Sequence, residues 1–310
     1  MRAWFKKGRK VEGWLATSLG ASRVDFAHAR FASGKPMVTA FGSRPLEGDK
    51  HAAEKFAHDL QVDRYECSAL LEPSEYQVLM VEAPNVPREE LKGAIRWKIK
   101  DMVDYHVDDA TIDVLDIPPT DATARNHMMY AVAARNELLQ GRIREFEEAQ
   151  IPISVIDIRE TAQRNLAALY ESDDRGVALV YFAEAWGLLT INYRRELYLA
   201  RRLDFGLTHL DAATKLHDDG PLERVVVEIQ RTLDHFERQY RGIAVARVLL
   251  APTPSDLGLA DFLRTRLGIE VRAVELGETV SFDVPPPDRE TQWRLFHHFG
   301  AALRQEAVGL

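Results

Sequence analysis

The stretch "GWLATSLGASRVDFAHARF", from Gly13 to Phe31, reads as strand, tight turn, strand. Trp14 to Thr17 and Val24 to Phe31 form the strands, and Ser18-Leu19-Gly20-Ala21-Ser22 supplies the small residues of the turn. A short turn after an N-terminal strand is where several nucleotide-binding folds cradle a phosphate on backbone amides. A third strand, Pro36 to Phe41, bounded by Gly34 and Gly42, completes a meander.

The same opening recurs later in the chain. "VALVYFAEAWGLLTINYRRELYLARRLDFG" gives strands at Val177 to Phe182, Leu188 to Tyr193 and Leu197 to Asp204. Between the two meanders, the spacing predicts a helix near His51 to Gln61 and strands from Cys67 and Tyr76. A helix opens at Pro87 with Glu89 and Glu90 in its first turn, where the helix dipole favours anions. Its Leu91, Ile95, Ile99 and Met102 recur on one stripe, expected to face the core, with Trp97 off it. Strands Thr111 to Ile117 and Met128 to Ala134 follow, then a helix Asn136 to Ala149, a strand from Ile151 and a helix Arg159 to Tyr170. The charged "ESDDRG" at 171–176 marks a break. The second half adds helices Leu207 to His217 and Leu222 to Tyr240, and a βαβ unit starting at Ala246. Pro285-Pro286-Pro287 then leads to a last helix, Glu290 to Gln305.

The expected organisation is a basic tail (1–11), a first lobe (12–170) with a subdomain inserted at about 45–150, a second lobe (171–284), and a linker with a C-terminal helix packing back on the core (285–310). Two α/β lobes, each opening on a β-meander whose turn faces a cleft, describe the actin-like ATPase fold.

At 310 residues, 46% hydrophobic and 28% charged, the composition is that of a globular protein with two cores. A net charge of −8 argues against nucleic acid as a partner. Cys67 is the lone cysteine, which excludes an intrachain disulfide and a cysteine zinc site and fits a reducing compartment. No run approaches the ~18 apolar residues of a membrane span, so the expectation is a cytoplasmic protein. The basic "MRAWFKKGRK" is expected to be a solvated tail, with contact to anionic lipid as the other reading. The ten histidines include no His-x-x-x-His pair with a nearby acid, so no metal site is expected. Glu228, Arg231 and His235 read as an ordinary helical ion pair. Arg96 and Trp97, off the apolar stripe, are the candidates for partner contact, because Trp and Arg anchor interfaces. The competing reading packs Trp97 on its own subdomain.

Four blocks then carry a family resemblance. They are "VPREELKGAIRWKIKDMVDYHVDDATIDVLDIP" (Val86 to Pro118), "MYAVAARNELLQGRIREFEEAQIPISVIDIRETAQRNL" (Met129 to Leu166), "VEIQRTLDHFERQY" (Val227 to Tyr240) and "HHFGAALR" (His297 to Arg304). In this order they resemble the PilM/MshI family of type IV pilus biogenesis proteins, which is itself similar to FtsA. The Trp-containing helix and "TLDHFERQ" look most like MshI, the mannose-sensitive haemagglutinin (MSHA) pilus branch. The resemblance implies a cytoplasmic scaffold at the inner membrane. It would dock the cytoplasmic peptide of a PilN-like partner, contact other platform components, self-associate, and in the PilM branch hold ATP between the lobes.

That ATP chemistry needs an Asp-hydrophobic-Gly first turn, an Asp-x-Gly second turn and a Gly-Gly adenosine turn. Here the first reads Ser18-Leu19-Gly20, with Ser22 retained and Asp25 where a lysine is expected. The second reads Tyr181-Phe182-Ala183, a phenol that would fill the phosphate space. The third reads Ala251-Pro252-Thr253, in which proline has no amide hydrogen. Both magnesium-site acids are missing. The reading is therefore a pilus scaffold without ATPase activity or cofactor. The alternative is an actin-like ATP-binding protein whose nucleotide state controls assembly, since Gly20, Ala21 and Ser22 can still present amides.

Overall fold

The computed structural model describes residues 10–46, 51–119, 127–172, 174–216 and 219–305; most of the basic N-terminal tail lies outside them. The opening meander is β1 (Trp14–Leu19), β2 (Arg23–Ala32) and β3 (Lys35–Pro45), followed by α1 (Ala52–Leu60) and β4 (Glu66–Leu70). β5 (Gln77–Glu82), α2 (Arg88–Ile99), β6 (Ala110–Asp116), β7 (Met128–Arg135) and α3 (Asn136–Glu148) precede β8 (Ile153–Asp157) and α4 (Arg159–Ala167). The second meander is β9 (Gly176–Phe182), β10 (Gly187–Tyr193) and β11 (Glu196–Leu203). After it come α5 (Leu207–Leu216), α6 (Gly220–Gln239), β12 (Val245–Leu250), α7 (Leu259–Arg266) and β13 (Glu270–Ala273). α8 (Leu276–Thr279), β14 (Ser281–Phe282), α9 (Arg289–Arg294) and α10 (Phe296–Ala302) close the described chain.

The repeat is visible in the topology. The first large sheet runs β14-β3-β2-β1-β4-β8 and the second β11-β10-β9-β12-β13. In each, an antiparallel meander continues into two parallel strands. The three-stranded sheet β5-β7-β6 is inserted between β4 and β8. β14 departs from the repeat: Ser281 and Phe282 fall within the stretch read as the second lobe, yet they pair with Met37 and Val38 on the first sheet.

Two helices are packed between the large sheets. α4 and α10 share one apolar cluster with β1, β2 and β9, in which Phe296 and Phe299 are fully buried. Each ring contributes about 2–3 kcal/mol by leaving water. The helices meet so closely that a Cβ on Gly300 would lie 2.1 Å from the Ala162 carbonyl oxygen. Asn165 Nδ2 donates to Gly300 O at 2.9 Å across the same contact.

The inserted sheet leans on the second large sheet. Ile117 and Tyr130 join the core formed with α6, and the Tyr130 hydroxyl accepts from Ala200 N at 2.9 Å and donates to Tyr198 O at 3.3 Å. The phenol thus satisfies backbone groups of β11, the edge strand.

Three sequence expectations need correction. The final helix is two helices, because the chain turns at Leu295 before α10 is buried along its whole length. Met102 is not on the core stripe: α2 ends at Ile99, and Met102 is 48% exposed while Ile95 and Ile99 are buried. Trp97 does not pack on its own subdomain; it is 73% exposed.

Candidate functional site

The β1–β2 and β9–β10 turns face each other across a cleft of about 560 Å³. Ser18, Gly20, Ser22, Asp25, Tyr181 and Ala183 all line it, so the structure brings together the first six of the residues read as nucleotide positions. Ala251, Pro252 and Thr253 are not among them. They line a second cavity of about 360 Å³ at the carboxyl ends of β12 and β13. Helix α9 stands between the two spaces, presenting Glu290, Trp293 and Arg294 to the cleft and Arg289 and Gln292 to the other cavity. The Trp293 indole N–H donates to Phe182 O at 2.7 Å, pinning the helix against the end of β9.

A buried polar network underlies the cleft. Gln163, wholly buried on α4, donates through Nε2 to Leu179 O, Leu188 O and Thr190 Oγ1 at 2.8, 3.2 and 3.0 Å. Its Oε1 is left as an acceptor, so His297 Nε2, 3.1 Å away, carries the proton. His297 Nδ1 then accepts from Arg159 Nη1 at 3.4 Å. Burial, reinforced by the Arg159 charge and His298, holds the His297 pKa well below its usual value. His298 is pushed down to about 3 by burial and then by Arg159. Its Nε2 lies 2.8 Å from Ser18 Oγ, and its Nδ1 is buried without a partner. A proton on Nε2 leaves no N–H unsatisfied, so His298 donates to Ser18 and the serine proton is free to face the cleft.

This serine and Tyr181 are the residues at the two positions where the sequence resemblance implied magnesium-site acids. Tyr181 is 4% exposed, stacked on Phe296 at 5.6 Å and edge-on to His297 at 4.3 Å. The ring is therefore packed into the α10 side of the core and forms a wall of the cleft rather than spanning it. Burial pushes its hydroxyl up to about 12. Asp25 accepts from the Ser43 hydroxyl, and burial raises its pKa against the pull of Ser43 and three arginines. The Gly20 amide, expected to be free for a phosphate, donates to Arg23 O at 2.9 Å within the turn. Among the described residues no group of three or more His, Cys, Asp or Glu side chains is placed to hold a metal.

Sequence reasoning missed the residues that join the two sides. Arg159 Nη2 pairs with Glu72 Oε1 at 2.5 Å, and its guanidinium lies 5.9 Å from the Trp186 ring. Arg202 lies 5.5 Å from the same ring and donates to Pro73 O at 2.8 Å. An indole flanked by two guanidiniums thus ties β10 and β11 to the segment after β4. Nothing in the local spacing of "RETAQ" distinguishes Arg159 from a surface arginine.

Arg96 holds its own subdomain together, donating to Val107 O and, at 3.1 Å, to Ala110 O. Beyond it, a cavity of about 140 Å³ opens between the start of β5 and the segment after α2, lined in part by Gln77, Asp104, Tyr105 and Arg135. The Tyr105 hydroxyl and Gln77 Oε1 are buried there without partners. The Arg135 guanidinium covers the Tyr105 ring at 4.7 Å and reaches Asp104 at 3.1 Å.

No family model and no curated protein matches this sequence. Among solved structures, a chain of the PilM–PilN type IV pilus biogenesis complex superposes with a TM-score of 0.70 at 19% identity, covering 95% of this chain and 97% of that one. A Bacteroides thetaiotaomicron protein with an actin-like ATPase fold and unknown function gives 0.50 at 8% identity, covering 91% and 96%. The fold is that of the actin-like ATPases. The cytoplasmic domain of EpsL, an inner-membrane component of the Vibrio cholerae type II secretion system, gives 0.47 at 13% identity, covering 93% and 94%.

Proposed function

We propose that this chain is a nucleotide-independent scaffold of a type IV pilus machine, of the MSHA kind, that captures a short cytoplasmic segment of a PilN-like inner-membrane protein. The observation that carries this is the small cavity beside Tyr105, because a buried hydroxyl and a buried amide oxygen without partners each cost stability unless something completes them. A peptide supplies what they lack, an N–H for Gln77 Oε1 and a carbonyl for the Tyr105 hydroxyl, and the volume suits one side chain. The structural likeness to the PilM chain and the sequence blocks at Val86 to Pro118 and Met129 to Leu166 support the same reading. No described helix is long and apolar enough to cross a membrane, so the membrane association in this proposal comes through the partner.

Catalysis plays no part in the proposal. This reading is supported by Ser18 and Tyr181 at the positions where the resemblance implies acids, and by α9 between the cleft and the Ala251 to Thr253 turn. The test is calorimetric titration of the full chain with a synthetic peptide of the partner's cytoplasmic segment. Tyr105→Phe and Gln77→Leu should each weaken binding by about tenfold, one hydrogen bond's worth, while Arg175→Ala, in the lining of a different cavity, leaves it unchanged. Equal affinity for all four proteins would place the peptide elsewhere.

A further inference from the structure

Two parts of the first lobe that are far apart in sequence share one side chain. The β1–β2 turn lines the cleft with Ser18, Gly20 and Ser22, while Leu19, Gly20 and Ala21 line a separate cavity of about 430 Å³ together with Arg142 of α3. The turn closes on itself through Gly20 N to Arg23 O, and the Leu19 carbonyl accepts from Arg142 Nη1 at 3.1 Å. The same guanidinium donates through Nε to Glu75 Oε1 at 2.5 Å and through Nη1 to Glu145 Oε2 at 2.7 Å. Glu75 lines the small cavity beside Tyr105. One arginine therefore reaches from the turn to the wall of the peptide cavity.

Glu75 shapes the segment that carries it. Its N–H donates to Glu72 O at 2.9 Å and its Oε2 accepts from Glu72 N at 2.7 Å, which closes "EPSE" (72–75) from both sides. Pro73 stands second in this turn, where its fixed φ is favoured. Ser74 to Gln77 then line the cavity, and Tyr76 is anchored by its hydroxyl, which donates to Glu160 Oε2 at 2.6 Å. The Glu75 side chain is only 10% exposed, so its charge depends on the cation beside it. On α3, Leu138 lies four residues before Arg142 on the same face and lines the same cavity.

We propose that Arg142 is a positioning residue for the peptide cavity, and that the β1–β2 turn serves as the anchor of that arginine. The inference rests on reading this cavity as the peptide site. Arg142 does not line the cavity itself; it acts by holding Glu75, and through Glu75 the backbone from Glu72 to Gln77. A planar guanidinium suits the task because it meets three acceptors in one fixed geometry, which an ammonium on a flexible stem does not. A preformed cavity leaves less to be ordered when the peptide binds, so losing the brace weakens binding without removing a contact.

The test combines titration of the full chain with the partner peptide, well below the melting temperature, and hydrogen exchange of residues 72–77 without peptide. Arg142→Ala is expected to weaken the peptide about tenfold and to speed exchange in 72–77 by about as much, and Arg142→Lys to recover part of both. Glu75→Gln should add little to Arg142→Ala, because the two side chains act as one unit. Gly20→Pro removes the N–H that closes the β1–β2 turn; it should weaken the peptide in the parent protein and add little in Arg142→Ala. An Arg142→Ala protein that melts lower yet binds like the parent would make the ion pair a stability contact and overturn the inference. Additive losses in either double variant would overturn it too. If Tyr105→Phe and Gln77→Leu leave binding unchanged, the cavity reading itself fails, and exchange decides: an unchanged rate in Arg142→Ala overturns the brace, and a faster one upholds it.

Discussion

Gly300→Ala is expected to destabilise the protein by about 3 kcal/mol or more, a large share of a domain's total stability. The added methyl would sit 2.1 Å from Ala162 O, 2.7 Å from the Ala162 carbonyl carbon and 3.2 Å from its Cα. All three are backbone atoms in mid-helix, so no rotamer change relieves the overlap and α4 must move away from α10. That movement pulls apart the cluster holding Leu166, Phe296 and Phe299 and stretches the bond from Asn165 to Gly300 O. Urea unfolding followed by circular dichroism measures the loss. Gly93→Ala is the internal comparison: a helical glycine with open space around it should gain up to about 1 kcal/mol on the same substitution. Equal stability of Gly300→Ala and the parent protein would mean that the two helices are not in contact.

Acid should unfold the protein through the histidines under the cleft. His297 and His298 have folded-state pKa values below the ordinary value, His298 about 3, and His28, also buried, sits at about 4. Above about pH 6.5 these groups are neutral in both states and the term is constant. Below it the unfolded chain takes up protons that the folded protein refuses, and stability falls by about 1.4 kcal/mol per pH unit for each histidine until the folded pKa is reached. Between pH 6.5 and 5 this amounts to about 2 kcal/mol per histidine. Glu160 and Asp25 oppose it, because burial raises their folded-state pKa and the folded protein binds those protons first, in a window just above their usual values. The histidine shifts are the larger, so the net slope is a loss. His298→Gln removes one such proton. Its urea-derived stability should therefore depend less steeply on pH between 6.5 and 5, and an unchanged slope would show that His298 is protonated in the folded state.

The repeated meander was legible because turn residues and short apolar runs bound each strand locally. The second meander follows from applying the same reading again, whereas the parallel strands added to each meander are placed by tertiary pairing. Residues 281–282 resisted, because a two-residue strand such as β14 has no period, and its place on the first sheet is fixed by the partner strand β3. Met102 satisfied the helical spacing but not the helix length. Ser18, Gly20, Ser22, Asp25, Tyr181 and Ala183 could be read toward one cleft because they lie in or beside hairpin turns, which are local features. The contact of Trp186 with Arg159 could not be read this way, since Arg159 lies on α4 and reaches the indole only through tertiary packing. Arg96 carried an interface signature by residue type, yet its guanidinium bonds carbonyls of its own chain.

The central claim is that this actin-like fold works without a nucleotide, and the most direct test is the melting temperature of the full chain with and without millimolar magnesium-ATP. A ligand present at about 100 times its dissociation constant stabilises the folded state by about 2.7 kcal/mol, enough to raise the melting temperature by several degrees. The account predicts no change with magnesium-ATP. A magnesium-dependent rise of several degrees that disappears in Ser18→Ala or Gly20→Val would contradict it and establish the cleft as a nucleotide site.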